Sequence, residues 1–372
     1  MERILACKMN YLAVNTDYVV SLSTYEQYGN PIPFSLAASI HYEPMDVVIP
    51  SRDKMTLIHW AREYLKARRQ FRLQYRQLLA KIDPYIVVCT GYSFQVMDII
   101  VDEARRHRIN VIVESHTKGE TVTFAYKYSY NPKLKIIFRQ WDKYIMHSLK
   151  DASCVVTLTK YDVSFWSKYV SRVEIIPNML TINPVMVKDY RAKRIISAGR
   201  YMTEKGFDRL IEAWYIIKES RKNDEQLDGW QLYIYGDGDR TPYQKLVSKY
   251  GLEDSVHLEP ATDNIAKIFS EGSFYVMSSR YEGFGLVLTE AMSCGLPCIS
   301  FDCPYGPREI ITDGVDGLLI ENGNIKLLAS AIEYLISDSD LRKTMGEKAA
   351  QNISRYGRDF VMPHWIRLFN SI

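Results

Sequence analysis

Short apolar runs recur along the chain, and most are followed by segments in which apolar residues return every three or four positions. The runs are Tyr18 to Leu22, Tyr85 to Cys89, Val111 to Glu114, Cys154 to Leu158, Val173 to Ile176, Arg194 to Ala198, Gln231 to Tyr235, Phe274 to Met277 and Pro297 to Phe301. Near-continuous apolar runs of this length predict strands buried on both faces, and therefore parallel sheets layered between helices. The pattern predicts an α/β chain that is doubly wound twice. The opening is different: Met1, Leu5, Met9 and Leu12 recur at helical spacing, with no strand and glycine turn ahead of them, so one strand of the first domain is expected to be missing.

A proline at Ile182-Asn183-Pro184 interrupts the alternation. It predicts a first domain over 1–183, a second over 184–354, and a final helix over 355–372 crossing back to the first. Sixteen of the 19 glycines follow residue 198, so the second half carries the tight backbone turns. Ligands of open parallel sheets bind beyond the carboxyl ends of the strands, which makes the cleft between two such sheets the expected site.

The 372 residues suffice for two cores, and with 47% hydrophobic and 24% charged residues the chain is neither disordered nor fibrous. No apolar run has the length of a membrane-spanning helix, and the start carries no secretory leader, which leads us to expect a cytoplasmic protein. Cys7, Cys89, Cys154, Cys294, Cys298 and Cys303 form no CxxC pair and read as reduced thiols.

The overall charge of +3 hides an asymmetry: residues 1–186 carry +7 and the rest −4. Much of the excess falls on one helix face, where Arg62, Lys66, Arg69, Arg72 and Arg76 recur at helical spacing. The stripe reads as a solvated face or as a site for anionic lipid headgroups or a lipid-linked diphosphate, at the inner face of the cytoplasmic membrane. Nucleic acid is not expected, because no reading motif accompanies the charge.

Candidate chemistry lies in two strand-end loops. Tyr281-Glu282-Gly283-Phe284-Gly285-Leu286-Val287-Leu288-Thr289-Glu290 follows a strand and opens a helix, whose free amides favour an anion such as a diphosphate. Glu290 lies about a turn into that helix, suited to vicinal hydroxyls, and Glu282 lies in the loop, nearer whatever is attached beyond the phosphates. In Ala198-Gly199-Arg200-Tyr201-Met202-Thr203-Glu204-Lys205-Gly206, Arg200 forks onto phosphate oxygens and Lys205 adds a point charge, which would neutralise a diphosphate without a metal.

The Glu282 to Glu290 segment resembles the E-x7-E motif of glycosyltransferase family 4. So do Ala291-Met292-Ser293-Cys294-Gly295-Leu296-Pro297, Pro307-Arg308-Glu309-Ile310-Ile311 and the Gly199 to Gly206 stretch. The resemblance implies a GT-B fold, in which two Rossmann-like domains face each other across a cleft, and transfer of sugar from a nucleotide-sugar donor with retention. It puts Arg200 and Lys205 on the donor diphosphate, Glu290 on the ribose and Glu282 on the donor sugar. The amides of Phe284, Gly285 and Leu286 line the same site, with Gly199 and the Gly236 turn beside the nucleotide. Glu114-Ser115-His116 resembles the family's loop histidine facing the donor sugar. Met1-Glu2-Arg3-Ile4 resembles the start of a helix that the family places after a strand and a Gly-Gly loop.

Ser279 to Gly285 and Phe301-Asp302-Cys303-Pro304-Tyr305-Gly306-Pro307 most resemble members using UDP-sugars. The expected activity is hexosyl or N-acetylhexosaminyl transfer to a glycan or lipid-linked acceptor in surface-glycan assembly, with no cofactor. Asp237-Gly238-Asp239 matches a metal-binding D-x-D formally, but no third ligand completes it, so no metal is expected. Tyr126, Tyr128 and Tyr130 could stack on sugar rings. The competing readings are a catalytically inactive nucleotide-binding scaffold and a nucleotide-sugar epimerase.

Overall fold

The structure is a computed structural model and describes residues 2–27, 29–51, 55–127, 131–221 and 224–372. Tyr128 and Tyr130 lie outside the described residues. The chain divides into two compact units, Met1–Pro177 with Val361–Ile372, and Asn178–Phe360.

In the first unit the strands β3 (Ile86–Thr90), β4 (Asn110–Ser115), β5 (Cys154–Thr157) and β6 (Val173–Ile175) form a four-stranded parallel sheet in chain order. Two further strands of two residues each, β1 (Ser21–Leu22) and β2 (His41–Tyr42), pair only with each other. Most of the apolar run Tyr18 to Leu22 thus stays outside regular sheet. The helix Leu57–Ile82 begins at Thr56, whose hydroxyl accepts the His59 N–H. It buries Trp60, Tyr64, Phe71, Tyr75 and Leu79, and Trp60 and Tyr64 pack edge-on to Phe124.

The opening helix, Glu2–Asn15, turns a different face inward from the one its apolar spacing predicts. Ile4, Lys8 and Leu12 are buried while Leu5 and Met9 are only partly covered. The face rotates because Lys8 forms a buried ion pair with Glu114 at the end of β4, with the ring of Trp365 3.8 Å away. The final helix, Arg358–Asn370, contributes that tryptophan to the first unit.

The second unit holds a six-stranded parallel sheet of β7 (Arg194–Ala198), β8 (Gln231–Gly236), β9 (Val256–Pro260), β10 (Phe274–Met277), β11 (Cys298–Phe301) and β12 (Gly317–Ile320). Its order is β12-β11-β10-β7-β8-β9. The winding reverses between β7 and β10, so the loops leaving these neighbours run to opposite sides and open a crevice at their carboxyl ends. β10 and β11 are buried throughout and β7 at its three middle residues, as their apolar composition requires.

Candidate active site

The two loops singled out from the sequence leave the two strands that flank this switch point. Residues 199–206 follow β7 and residues 278–285 follow β10. Gly206 adopts φ +63°, and a Cβ there would lie 2.1 Å from the Ser278 carbonyl oxygen, so only glycine lets the loops approach this closely. Gly236, at the end of β8, permits a similar approach: its Cβ would fall 1.9 Å from the Gly199 carbonyl oxygen.

Polar bonds then lock the loops together. Ser278 Oγ donates to the Lys205 carbonyl (3.0 Å), and the Arg280 N–H to that of Glu204 (2.8 Å). The Arg280 guanidinium forks onto Asp208 at 2.8 and 2.6 Å and also donates to the Thr203 carbonyl. Burial would push the Asp208 carboxyl up, but Arg280 overrides it and holds the group below the ordinary carboxylate value. Ser279 and Arg280 fall within the Ser279 to Gly285 motif but no role was read for them, and Asp208 was not singled out; the Arg280–Asp208 pairing joins residues 72 positions apart.

Lys205 Nζ donates to Glu282 Oε1 at 2.7 Å, and Ser279 Oγ donates to the same oxygen at 2.6 Å. Arg200 is exposed and its guanidinium has no hydrogen bond or ion pair among the described residues. The helix Leu286–Ser293 starts after Gly285, which has φ +96° and leaves the first amides without a side-chain cap. Phe284 is buried, and the turn at Gly306 packs on its backbone. Glu290 is buried within the helix and accepts from Thr181 Oγ1 at 2.8 Å. The structure therefore places Gly199, Arg200, Lys205, Gly236, Glu282, Phe284 and Gly285 on strand ends and loops, and Leu286 and Glu290 on the helix that follows, around one switch point.

His116 belongs to the first unit, just beyond β4. Its side chain is 4% exposed, with Nε2 3.2 Å from Glu114 Oε2, off the line of a hydrogen bond. Asp237 and Asp239 bond the nearby amides of Gly238 and Thr241. No group of three or more metal-type side chains is gathered among the described residues.

The cationic stripe needs a correction. Arg72 and Arg76 are tied to Glu103, and Arg72 also to Asp102, so two of the five charges are neutralised. Arg62, Lys66 and Arg69 are exposed without an ion pair among the described residues, beside the exposed Ile58, Leu65 and Leu73. A cleft of about 260 Å³ lies there, lined by Leu65, Arg68, Arg69, Arg72, Ile99, Trp141 and Tyr144. No helix among the described residues is long and apolar enough to cross a membrane. Tyr126 is half exposed.

Residues 181–352, nearly the whole second unit, match the family glycosyl transferases group 1. The resemblance drawn from the two loops falls inside this match. The chain is 32% identical over 181 residues to the amylovoran biosynthesis glycosyltransferase AmsD of Erwinia amylovora, covering 48% of this chain and 49% of that one. It is 30% identical over 239 residues to the poly(ribitol-phosphate) alpha-N-acetylglucosaminyltransferase of Staphylococcus aureus, covering 63% and 47%. The chain thus spans about half the length of these relatives. The crystal structure of TarM superposes with a TM-score of 0.65 at 25% identity, over 79% of this chain and 57% of that one. Sucrose-phosphate synthase of Thermosynechococcus elongatus shares the fold over 99% of this chain, with a TM-score of 0.76. Both units are Rossmann-like and the fold class is GT-B.

Proposed function

We propose that this protein moves a hexosyl or N-acetylhexosaminyl group, with retention, from a UDP-sugar to a glycan or lipid-linked glycan acceptor. The observation that carries the reading is the meeting of loops 199–206 and 278–285 at the switch point. It sets two cations, a carboxylate and an uncapped helix start around one crevice. The amides of Phe284, Gly285 and Leu286 receive the diphosphate, Arg200 and Lys205 neutralise it, Glu290 holds the ribose and Glu282 the donor sugar. UDP is favoured because a Staphylococcus aureus TarM variant was crystallised with UDP.

The sugar C1–O bond to the diphosphate breaks as a bond from C1 to the acceptor oxygen forms on the same face. The acceptor proton passes to the departing diphosphate oxygen, whose growing charge Arg200 and Lys205 stabilise. His116 contacts the transferred sugar. These cations supply the charge stabilisation, so the reading has the reaction run in excess chelator. The exposed face of Arg62, Lys66 and Arg69 with Ile58, Leu65 and Leu73 supports peripheral association with an anionic membrane carrying the acceptor.

Calorimetric titration with UDP, GDP, ADP and CDP tests the donor site. Selective UDP binding is expected, and binding to none would overturn the reading. With the donor identified, an α-linked product from an α-linked UDP-sugar is expected. UDP binding with no transfer to any lipid-linked or polyol-phosphate acceptor would leave the scaffold reading in its place.

A further inference from the structure

A group of polar side chains of the first unit is buried at the carboxyl end of β4. Lys8 and Glu114 are each 4% exposed and pair with each other. Glu114 is also 3.2 Å from His116 Nε2, and neither ring nitrogen of His116 has a hydrogen-bond partner among the described residues. Burial alone would push the Glu114 carboxyl up, but Lys8 and His116 hold it down at about 2, so it is a fixed anion at neutral pH. Cys89 on the neighbouring strand is pushed up to about 12 by burial, with Glu114 adding to the effect, and so stays a neutral thiol. Trp365 covers the Lys8 ammonium. On the far side of the loop, Asp162 accepts the Gly119 N–H at 3.1 Å and lies 3.2 Å from Ser115 Oγ, which fixes the backbone on both sides of His116.

Buried ion pairs are weak contributors to stability, and apolar pairs of similar volume often serve as well or better. One that ends beside an unpartnered imidazole at the ligand-binding end of a parallel strand is better explained by what it does to the ring. We propose that Lys8 and Glu114 are positioning residues that fix His116 with Nε2–H toward the carboxylate, leaving Nδ1 as the acceptor for a sugar hydroxyl. The chain of action is Lys8 on Glu114 and Glu114 on His116. A small rotation of the ring brings Nε2–H into line with Oε2. The ring is covered in this structure, so the hydroxyl reaches Nδ1 as the covering side chains part. This inference rests on the proposed role of His116 in transfer.

The test uses the ring ¹⁵N resonances of His116 in the full-length, uniformly labelled protein, assigned through His116→Gln. A single fixed tautomer gives two widely separated resonances. The Lys8→Met/Glu114→Leu double variant removes both charges and keeps the volume, so it is expected to fold. In it the two resonances should draw together as the tautomers exchange, and turnover should fall roughly tenfold to hundredfold, toward that of His116→Ala. Lys8→Arg in the otherwise wild-type chain, which keeps the charge against Glu114, should retain the separated pair. An averaged pair in the wild-type protein, or a double variant with the wild-type spectrum, would overturn the proposal. Wild-type turnover in His116→Ala would instead overturn the role of His116, while the spectra still decide whether Lys8 and Glu114 orient the ring.

Discussion

Lys205 Nζ and Glu282 Oε1 are 2.7 Å apart, so the cation proposed for the diphosphate and the carboxylate proposed for the sugar form one ion pair. Both are largely covered, at 23% and 11% side-chain exposure, so the pair is better shielded from water than a surface bridge. On the proposed reading, a diphosphate that draws Lys205 away would leave Glu282, still held by Ser279, to the sugar.

Lys205→Ala should leave the fold intact and reduce kcat/KM by about tenfold to hundredfold or more, the worth of a charge-assisted contact of roughly 1.5–3 kcal/mol. A radiolabelled sugar-transfer assay, with circular dichroism on the same preparation, checks this. Wild-type rates would remove Lys205 from the site.

Gly206→Ala should destabilise the second unit by about 1–3 kcal/mol, because the new methyl group meets the Ser278 carbonyl oxygen and φ +63° is unfavourable for alanine. Thermal melting should fall by several degrees and UDP affinity should drop with it. Gly314→Ala is the control, since that residue also has positive φ (+72°) but open space around it. It should cost less and leave UDP binding alone.

Acid should weaken the first unit through Glu114. Its carboxyl is lowered in the folded chain from the ordinary 4.5 to about 2. The stability it contributes is therefore complete above pH 4.5 and is lost as the pH falls toward 2, by at most about 3 kcal/mol. Denaturant titrations followed by the fluorescence of Trp365 and the other tryptophans, at steps across that window, should show the loss, and the Lys8→Met/Glu114→Leu variant should lose less, its remaining acid sensitivity coming from groups such as Glu103.

Replacing Arg62, Lys66 and Arg69 together by glutamine should reduce binding to phosphatidylglycerol vesicles by roughly a hundredfold, at about 1 kcal/mol for each cation. Sedimentation with vesicles at low and physiological salt measures it. Replacing Arg72 and Arg76 instead should affect vesicle binding less and stability more, because both are bound to Glu103.

The buried strands were legible because both of their faces are apolar, and the donor loops because their glycines and charges are contiguous in sequence. β9 and β12, the edge strands, were not singled out: Val256–Pro260 and Gly317–Ile320 are only partly covered, and their composition carries a weaker signal. Pairings between distant segments left no local trace. Arg280 and Asp208 are 72 positions apart and Lys8 and Glu114 are 106 apart. One sign was present: a lysine midway between Ile4 and Leu12 at i, i+4 spacing falls on a face that is otherwise apolar, which calls for a buried partner.

The reversal of the sheet between β7 and β10 also sets when the crevice between them comes into being. Ile195 and Phe274 pair across 79 positions, so the parallel crossovers to β8 and β9 must both be emitted before the second wall arrives. Closing that loop costs entropy that local helix formation does not recover, which makes it a late event in folding. During synthesis the ribosome must release residues past 293 before the helix behind Gly285 can point its amides at anything. On the proposed reading, a chain that retains nucleotide has already completed the most non-local strand pairing of its second unit, and nucleotide capture would serve as a readout of maturation.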